Sequence, residues 1–167
     1  KRAVKWKLVD EAVPNAKFDE TVRVRAAEFA AASPKSPVAT GITLGPLKKS
    51  INEDGSLQYS LLEIAVERDT RRATLTISGP TDAAPLDMSD FEAQGDQAYL
   101  LRLARELDDA ILHLRLNEPE LGLLVFRTQG DPELVLSHEA VLVSNADHWL
   151  ANEVLKYWKR VLKRIDV

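Results

Sequence analysis

Leu62-Glu63-Ile64-Ala65-Val66 and Ala73-Thr74-Leu75-Thr76-Ile77, joined through Arg68-Asp69-Thr70-Arg71, decide how this chain is read. In both runs large apolar residues recur at every second position, the period of a strand with one face on a core. The polar quartet between them has the composition of a turn. Residues 58–77 therefore read as a β-hairpin, closed by Ser78-Gly79-Pro80. Further on, Asp90 is placed to cap a long helix from Phe91 to about Leu116, with Leu100, Leu103, Leu107, Ile111 and Leu114 as a stripe at helical spacing. Leu121 to Phe126 is almost continuously apolar, the pattern of a parallel strand buried on both faces. Strand, helix and strand make a βαβ unit. The expected class is α/β, a β-hairpin followed by a βαβ unit and amphipathic helices.

Outward from that centre the signals are shorter. Lys5 to Val9 alternates like a strand, and Pro14 closes the segment. Asp19 could cap a helix to about Ala32, on which Val22, Ala26, Phe29 and Ala30 share a face. Ser33-Pro34 ends it, because a residue before proline is pushed out of the α region. Residues 35–57 hold Pro37, Gly41, Gly45, Pro46 and Gly55, and read as a linker with a short extended piece at Ile42 to Leu44. Asp131 to Val143 fits a helix or two short strands, with helix favoured. Asp147 to Ile165 is an amphipathic helix. Leu150, Val154, Tyr157, Trp158, Val161, Leu162 and Ile165 lie on one side, and Lys156, Lys159, Arg160, Lys163 and Arg164 on the other.

Composition narrows the function. The chain is 45% hydrophobic, enough to build a core. With no cysteine, a disulfide framework, a thiolate zinc site and a cysteine nucleophile are excluded. That absence fits a reducing cytoplasm. A net charge of -4 argues against a nucleic-acid partner, which needs concentrated Lys and Arg. No apolar run is long enough to span a bilayer, so no membrane partner is expected. No signal peptide is expected either, and an opening on Lys1 without Met is what excision from a longer protein would give.

The candidate chemistry is sparse. His113 sits beside the apolar stripe of the long helix and is read as a border residue of the core, since a general base needs a positioned partner. His138-Glu139 lacks the second histidine four residues on that would put two ligands on one helical face. The adjacent side chains of Asp147-His148 diverge, so no metal site is expected. Glu106, Asp108 and Asp109 could form a carboxylate pair only by converging in a cleft, and a solvated face is the expectation. Arg105 and Asp109 have the spacing of an exposed ion pair. Thr128-Gln129-Gly130-Asp131-Pro132 follows the apolar strand, where ligands of α/β sheets usually bind. Gly130 and Asp131 are therefore the substrate-binding candidates, with backbone N–H groups that could meet an oxyanion. The basic side of the last helix could attract phosphates but has the form of a solvated face. No Gly-flanked serine nucleophile and no phosphate-binding glycine loop occurs.

Two stretches carry a resemblance. Trp6-Lys7-Leu8-Val9-Asp10-Glu11-Ala12-Val13-Pro14, with the Ala-rich helix after it, resembles the late part of a domain of the crotonase (enoyl-CoA hydratase/isomerase) superfamily. Leu61 to Gly130 resembles the start of another. Arg105-Glu106-Leu107-Asp108-Asp109-Ala110-Ile111-Leu112, then Phe126-Arg127-Thr128-Gln129-Gly130-Asp131, then Asp147-His148-Trp149-Leu150 are similar to the middle of tandem crotonases that act on ring-epoxidised benzoyl-CoA. The resemblance covers nearly the whole chain. It implies crotonase-like partial units: 1–34 as the C-terminal part of a first unit, 35–57 as linker, 58–167 as the N-terminal part of a second, degenerate unit. The activity implied is a carbon–carbon lyase of aerobic benzoate degradation that opens the ring with water and releases formate. An acyl-CoA substrate, no cofactor, and homo-oligomers of the longer enzyme are implied with it. Crotonases hold the thioester carbonyl with two backbone N–H groups, one from an alanine- and glycine-rich loop ending in aspartate. Thr128-Gln129-Gly130-Asp131-Pro132-Glu133 departs from that loop, and no catalytic residue is carried over. This segment is then expected to be structural or dimerising. The alternative is a non-enzymatic α/β interaction domain with helix 147–165 as its partner-binding face.

Overall fold

The structure, a computed structural model, describes residues 2–33 and 41–166. The chain divides into two compact units, Lys1–Gly41 and Ile42–Val167. The reading of residues 35–40 as linker lies outside the described residues.

The first unit is helical. A single turn, α1 (Arg2–Lys5), leads through a 3-10 turn at Asn15–Lys17 into α2 (Phe18–Ala32). The strand expected over Lys5 to Val9 does not form. Trp6 and Leu8 instead donate their N–H groups back to the carbonyls of Arg2 and Ala3, at 2.9 and 3.0 Å. An alternating pentapeptide becomes a strand only beside another strand, and without one the local bonds win. The helix to Ala32 is as expected, and Ser33 adopts an extended backbone that ends it. Asp19 lies inside the first turn of α2 and is not its cap; Lys17 holds the cap position without a side-chain bond. Neither helix has a buried residue. Leu8, Val13, Phe18, Val22 and Phe29 line an open apolar cleft instead.

The second unit holds a five-stranded sheet in the order β1 (Ser50–Ile51), β2 (Leu57–Gln58), β3 (Leu62–Glu67), β4 (Arg72–Ser78), β5 (Leu123–Gln129). Neighbours are antiparallel up to β4, and β4–β5 is parallel. The hairpin forms about the expected turn, with Leu62 opposite Ile77, Ile64 opposite Leu75 and Glu67 opposite Arg72. Its alternation is real: Leu62, Ile64, Ala73 and Leu75 are buried, while Glu63 and Ala65 are exposed. β1 and the start of β2 fall inside the stretch that composition reads as linker, and Leu57 is a core residue.

The expected single helix from Phe91 is two helices, α3 (Met88–Gln94) and α4 (Tyr99–Asn117). Gly95, at φ +57, breaks the chain between them, a backbone that side chains disfavour. Asp87 caps α3, accepting from Ser89 and Asp90 N–H at 2.9 and 3.0 Å, so the capping aspartate lies three residues earlier than expected. The stripe on α4 holds. Leu107, Ile111 and Leu114 pack with Leu57, Leu62, Ile64 and Leu75, and Leu100 and Leu103 join a second cluster around Phe91, Leu142, Leu150 and Val154. Each such fully buried aliphatic chain contributes about 1.5–3 kcal/mol.

β5 is parallel to β4 as expected but forms the sheet edge. Leu123 and Phe126 remain exposed, so this strand is not buried on both faces. Its apolar run covers one flank of the parallel pair and offers the other outward. The segment after it is helical, α5 (Pro132–Ser144), and the chain closes with α6 (Trp149–Ile165). Leu150, Val154 and Val161 of α6 are buried in this unit's own core. Leu162, a helical step of about 100° from Val161, falls off the stripe and is exposed. Among the described residues no helix is long and apolar enough to cross a membrane.

Candidate functional site

The parallel pair β4–β5 ends in two glycine turns that meet. Gly79 donates its N–H to the Gln129 carbonyl at 2.7 Å. A side chain on Gly130 would stand 3.1 Å from both Cα and N of Gly79, and Gly130 itself has φ +118. Glycine is required there twice, for the backbone angle and for the approach. Asp131 then caps α5, its carboxylate accepting from Glu133 N–H at 2.8 Å, and Pro132 opens the helix.

Beside this junction lies a groove of roughly 590 Å³. Ile77, Leu103, Val135 and Leu136 make its walls apolar, and Tyr99, Thr128, Gly130 and Asp131 add polar edges. The two substrate-binding candidates therefore do line a cavity, at the C-terminal ends of the parallel strands. The groove can hold an apolar body against backbone amides. The carboxylate on its wall, Asp131, already serves as the α5 cap.

Tyr99 is a groove residue that the reading of the sequence did not single out. Its hydroxyl donates to the Ser78 carbonyl at 3.3 Å, and its ring meets the edge of the His138 ring. Burial raises its phenol above the ordinary value. An aromatic at the first position of a helix that follows a hairpin was the available signal.

The other polar candidates are drawn apart. His138 is buried, with its Nε2 3.2 Å from the Asp82 carbonyl, while Glu139 is exposed. Asp147 is exposed, and His148 lies 3.4 Å from Glu92. His113 contacts Asn117 one turn along α4 at 3.2 Å, at the border of the core as expected. Among the described residues no three His, Asp or Glu side chains cluster as a metal site.

The acidic face of α4 is not the solvated face expected of it. Glu106 is 1% exposed and accepts from Ser60 Oγ at 2.6 Å and Leu61 N–H at 2.8 Å. Asp108 is held by Arg164 at 3.0 Å and the Tyr157 hydroxyl at 3.1 Å. Asp109 takes Lys49 at 2.8 Å and the Tyr59 hydroxyl at 2.6 Å. Burial pulls Asp109 upward, but the bonds from Lys49 and Tyr59 outweigh it and leave the carboxyl below its ordinary value. The phenols move the other way: burial, then Asp109, raises Tyr59, and burial, then Asp108, pushes Tyr157 up to about 12. Adjacent Asp108 and Asp109 diverge, as neighbours one apart on a helix must: Asp108 ties α4 to α6, while Glu106 and Asp109 both tie it to residues 59–61. Arg105 does not pair with Asp109; it bonds the Gly45 carbonyl at 2.6 Å and Asp96 at 3.2 Å. On the basic side of α6, Arg164 is held by Asp108 and Arg160 stacks on Tyr157, while Lys156, Lys159 and Lys163 face solvent.

No protein-family model matches the chain. Over 166 residues, 99% of its length, the chain is 37% identical to a benzoyl-CoA-dihydrodiol lyase from Aromatoleum evansii. It spans 30% of that relative's length, so the similarity is to a segment of the lyase.

Proposed function

We propose that this chain is a segment of a carbon–carbon lyase that opens the ring of epoxidised benzoyl-CoA, benzoyl-CoA dihydrodiol, with water and releases formate. The observation that carries the proposal is the 37% identity extending over 166 residues. An identity sustained from the first helix to the last supports a shared fold across the whole segment. In this reading residues 1–34 end one crotonase-like unit and residues 58–167 begin a second, with the acyl-CoA bound through the longer enzyme in the cytoplasm of an aromatic-degrading cell. The hairpin, the helix and the parallel strand of the second region are compatible with the start of such a unit.

The segment's own part is structural or dimerising. The carboxylates of α4, Glu106, Asp108 and Asp109, are engaged in holding the unit together. The apolar stripe of α6 is buried in the unit's core, which leaves the interaction-domain alternative without that surface. A chimera tests the proposal. The matching segment of the Aromatoleum evansii lyase is replaced by this chain, and formate release from epoxidised benzoyl-CoA is measured. Formate release by the chimera is expected; a folded chimera without it refutes the assignment. The structural role has its own test. The isolated chain should release no formate from epoxidised benzoyl-CoA, and turnover by the chain alone refutes that role.

A further inference from the structure

Arg102 lies on the first turn of α4. Among the described residues none of the ion pairs involves it. Its Nη1 makes one long contact, 3.5 Å to Gln97 Oε1. Its Nε is shut off from solvent and finds no acceptor. Such an orphan is unusual, because a buried donor without a partner costs stability that evolution normally avoids. Arg105, three residues on, shows what a structural arginine does here, gripping both Asp96 and the Gly45 carbonyl.

Arg102 lines a cavity of roughly 370 Å³, separate in character from the apolar groove. Ser60, Ser78, Thr81, Gln94 and Gln97 supply hydroxyls and amides to its walls. The carboxylate on the wall, Asp82, belongs to an exposed residue. Glu106, one turn along α4, is engaged by Ser60 and Leu61. The N-terminus of α4 opens nearby, and Ala98 at its cap position has no side-chain acceptor to offer the first N–H groups. That end of a helix carries partial positive charge and adds to the field of Arg102.

We propose that this cavity binds a small oxyanion, a phosphate or carboxylate group, with Arg102 as the principal ligand. The planar guanidinium matches both groups with paired charge-assisted bonds through its two Nη groups. The walls supply further donors for the remaining oxygens. The site is independent of the lyase assignment: it stands on this unit's geometry alone.

Two-dimensional NMR of the arginine Nε–H groups, on the full chain at constant ionic strength, tests it. Inorganic phosphate is titrated in one arm and acetate in the other, with chloride making up the balance. The Arg102 Nε–H resonance should shift saturably. Saturation by phosphate alone identifies a phosphoryl ligand, and saturation by acetate a carboxylate. Arg102→Lys keeps the charge but loses the fork, and should weaken binding by about tenfold or more. A resonance that neither anion moves overturns the proposal, as does unchanged affinity in a folded Arg102→Lys chain. The wild-type titration decides the matter even where the variant does not fold.

Discussion

Replacing Glu106 tests the account of α4 most severely. Its carboxylate is 1% exposed and bonds two groups of the β2–β3 connection, Ser60 Oγ at 2.6 Å and Leu61 N–H at 2.8 Å. That connection also carries Ser78 N–H on the Leu61 carbonyl and Tyr59 N–H on the Leu62 carbonyl, so it anchors the hairpin to the helix layer. In Glu106→Ala two charge-assisted bonds go, each worth about 1.5–3 kcal/mol, and the Leu61 N–H is left buried without a partner. Relief of the carboxylate's own desolvation offsets part of this, so the net loss should be about 3–5 kcal/mol. Glu106→Gln separates charge from shape. Its Oε1 can still accept from Leu61, and its amide can donate to Ser60, whose hydroxyl turns to accept. Only the strengthening due to charge disappears, about 1–2 kcal/mol. Urea unfolding followed by circular dichroism reads both, with an unchanged slope as the control that the denatured state is the same. A loss below about 1 kcal/mol in Glu106→Ala, or a glutamine worse than the alanine, would refute the reasoning.

Three further outcomes follow from the same structure. Gly130→Ala should cost about 1–3 kcal/mol in the same assay, because φ +118 and the 3.1 Å approach to Gly79 both oppose a side chain; a neutral result would mean that the two turns do not meet. Leu75→Ala, at a fully buried position of an interior strand, should cost about 2–5 kcal/mol, whereas Phe126→Ala on the exposed edge should cost clearly less; equal losses would show that β5 is covered in the folded chain. The phenols should titrate late. Tyr157 is pushed up to about 12, and Tyr59 and Tyr99 are raised as well, so absorbance at 295 nm should show no tyrosine ionising at the ordinary value of 10.0 in the folded chain. Because the folded values lie above the unfolded one, the associated stability is complete below pH 10 and falls as the pH rises from there towards 12. A tyrosine ionising at 10 while the chain stays folded would contradict the buried Tyr157–Asp108 contact.

The groove was half legible. Gly130 and Asp131 stand out because a glycine and an aspartate follow an apolar run, and they do line a cavity at the strand ends. Their local duties, a left-handed turn and a helix cap, could be anticipated from residue type. Tyr99 and Arg102 could not. What makes them notable is who stands opposite: Ser78 and His138 for the tyrosine, and, among the described residues, no ion-pair partner for the arginine. Glu106 was open to a closer reading, since it lies three residues after Leu103 and four before Ala110, both buried on the stripe.

By itself the sequence determined the hairpin with its turn, the stripe of α4, the helices α2 and α6, and the parallel placing of the strand after α4, and it favoured a helix at α5 over two short strands. These rest on local periodicity and on turn and cap residues, which act between neighbours in the chain. Tertiary structure alone decided the rest. It left Lys5 to Val9 without a strand to pair with, divided the long helix at Gly95, put β5 at the sheet edge, and covered the acidic side of α4 with residues 49–61 and α6. The physical reason is common to all four. Whether a strand forms, whether an apolar run is buried, and whether a carboxylate is solvated depend on which distant segment arrives beside it, and a residue's own periodicity carries no record of that partner.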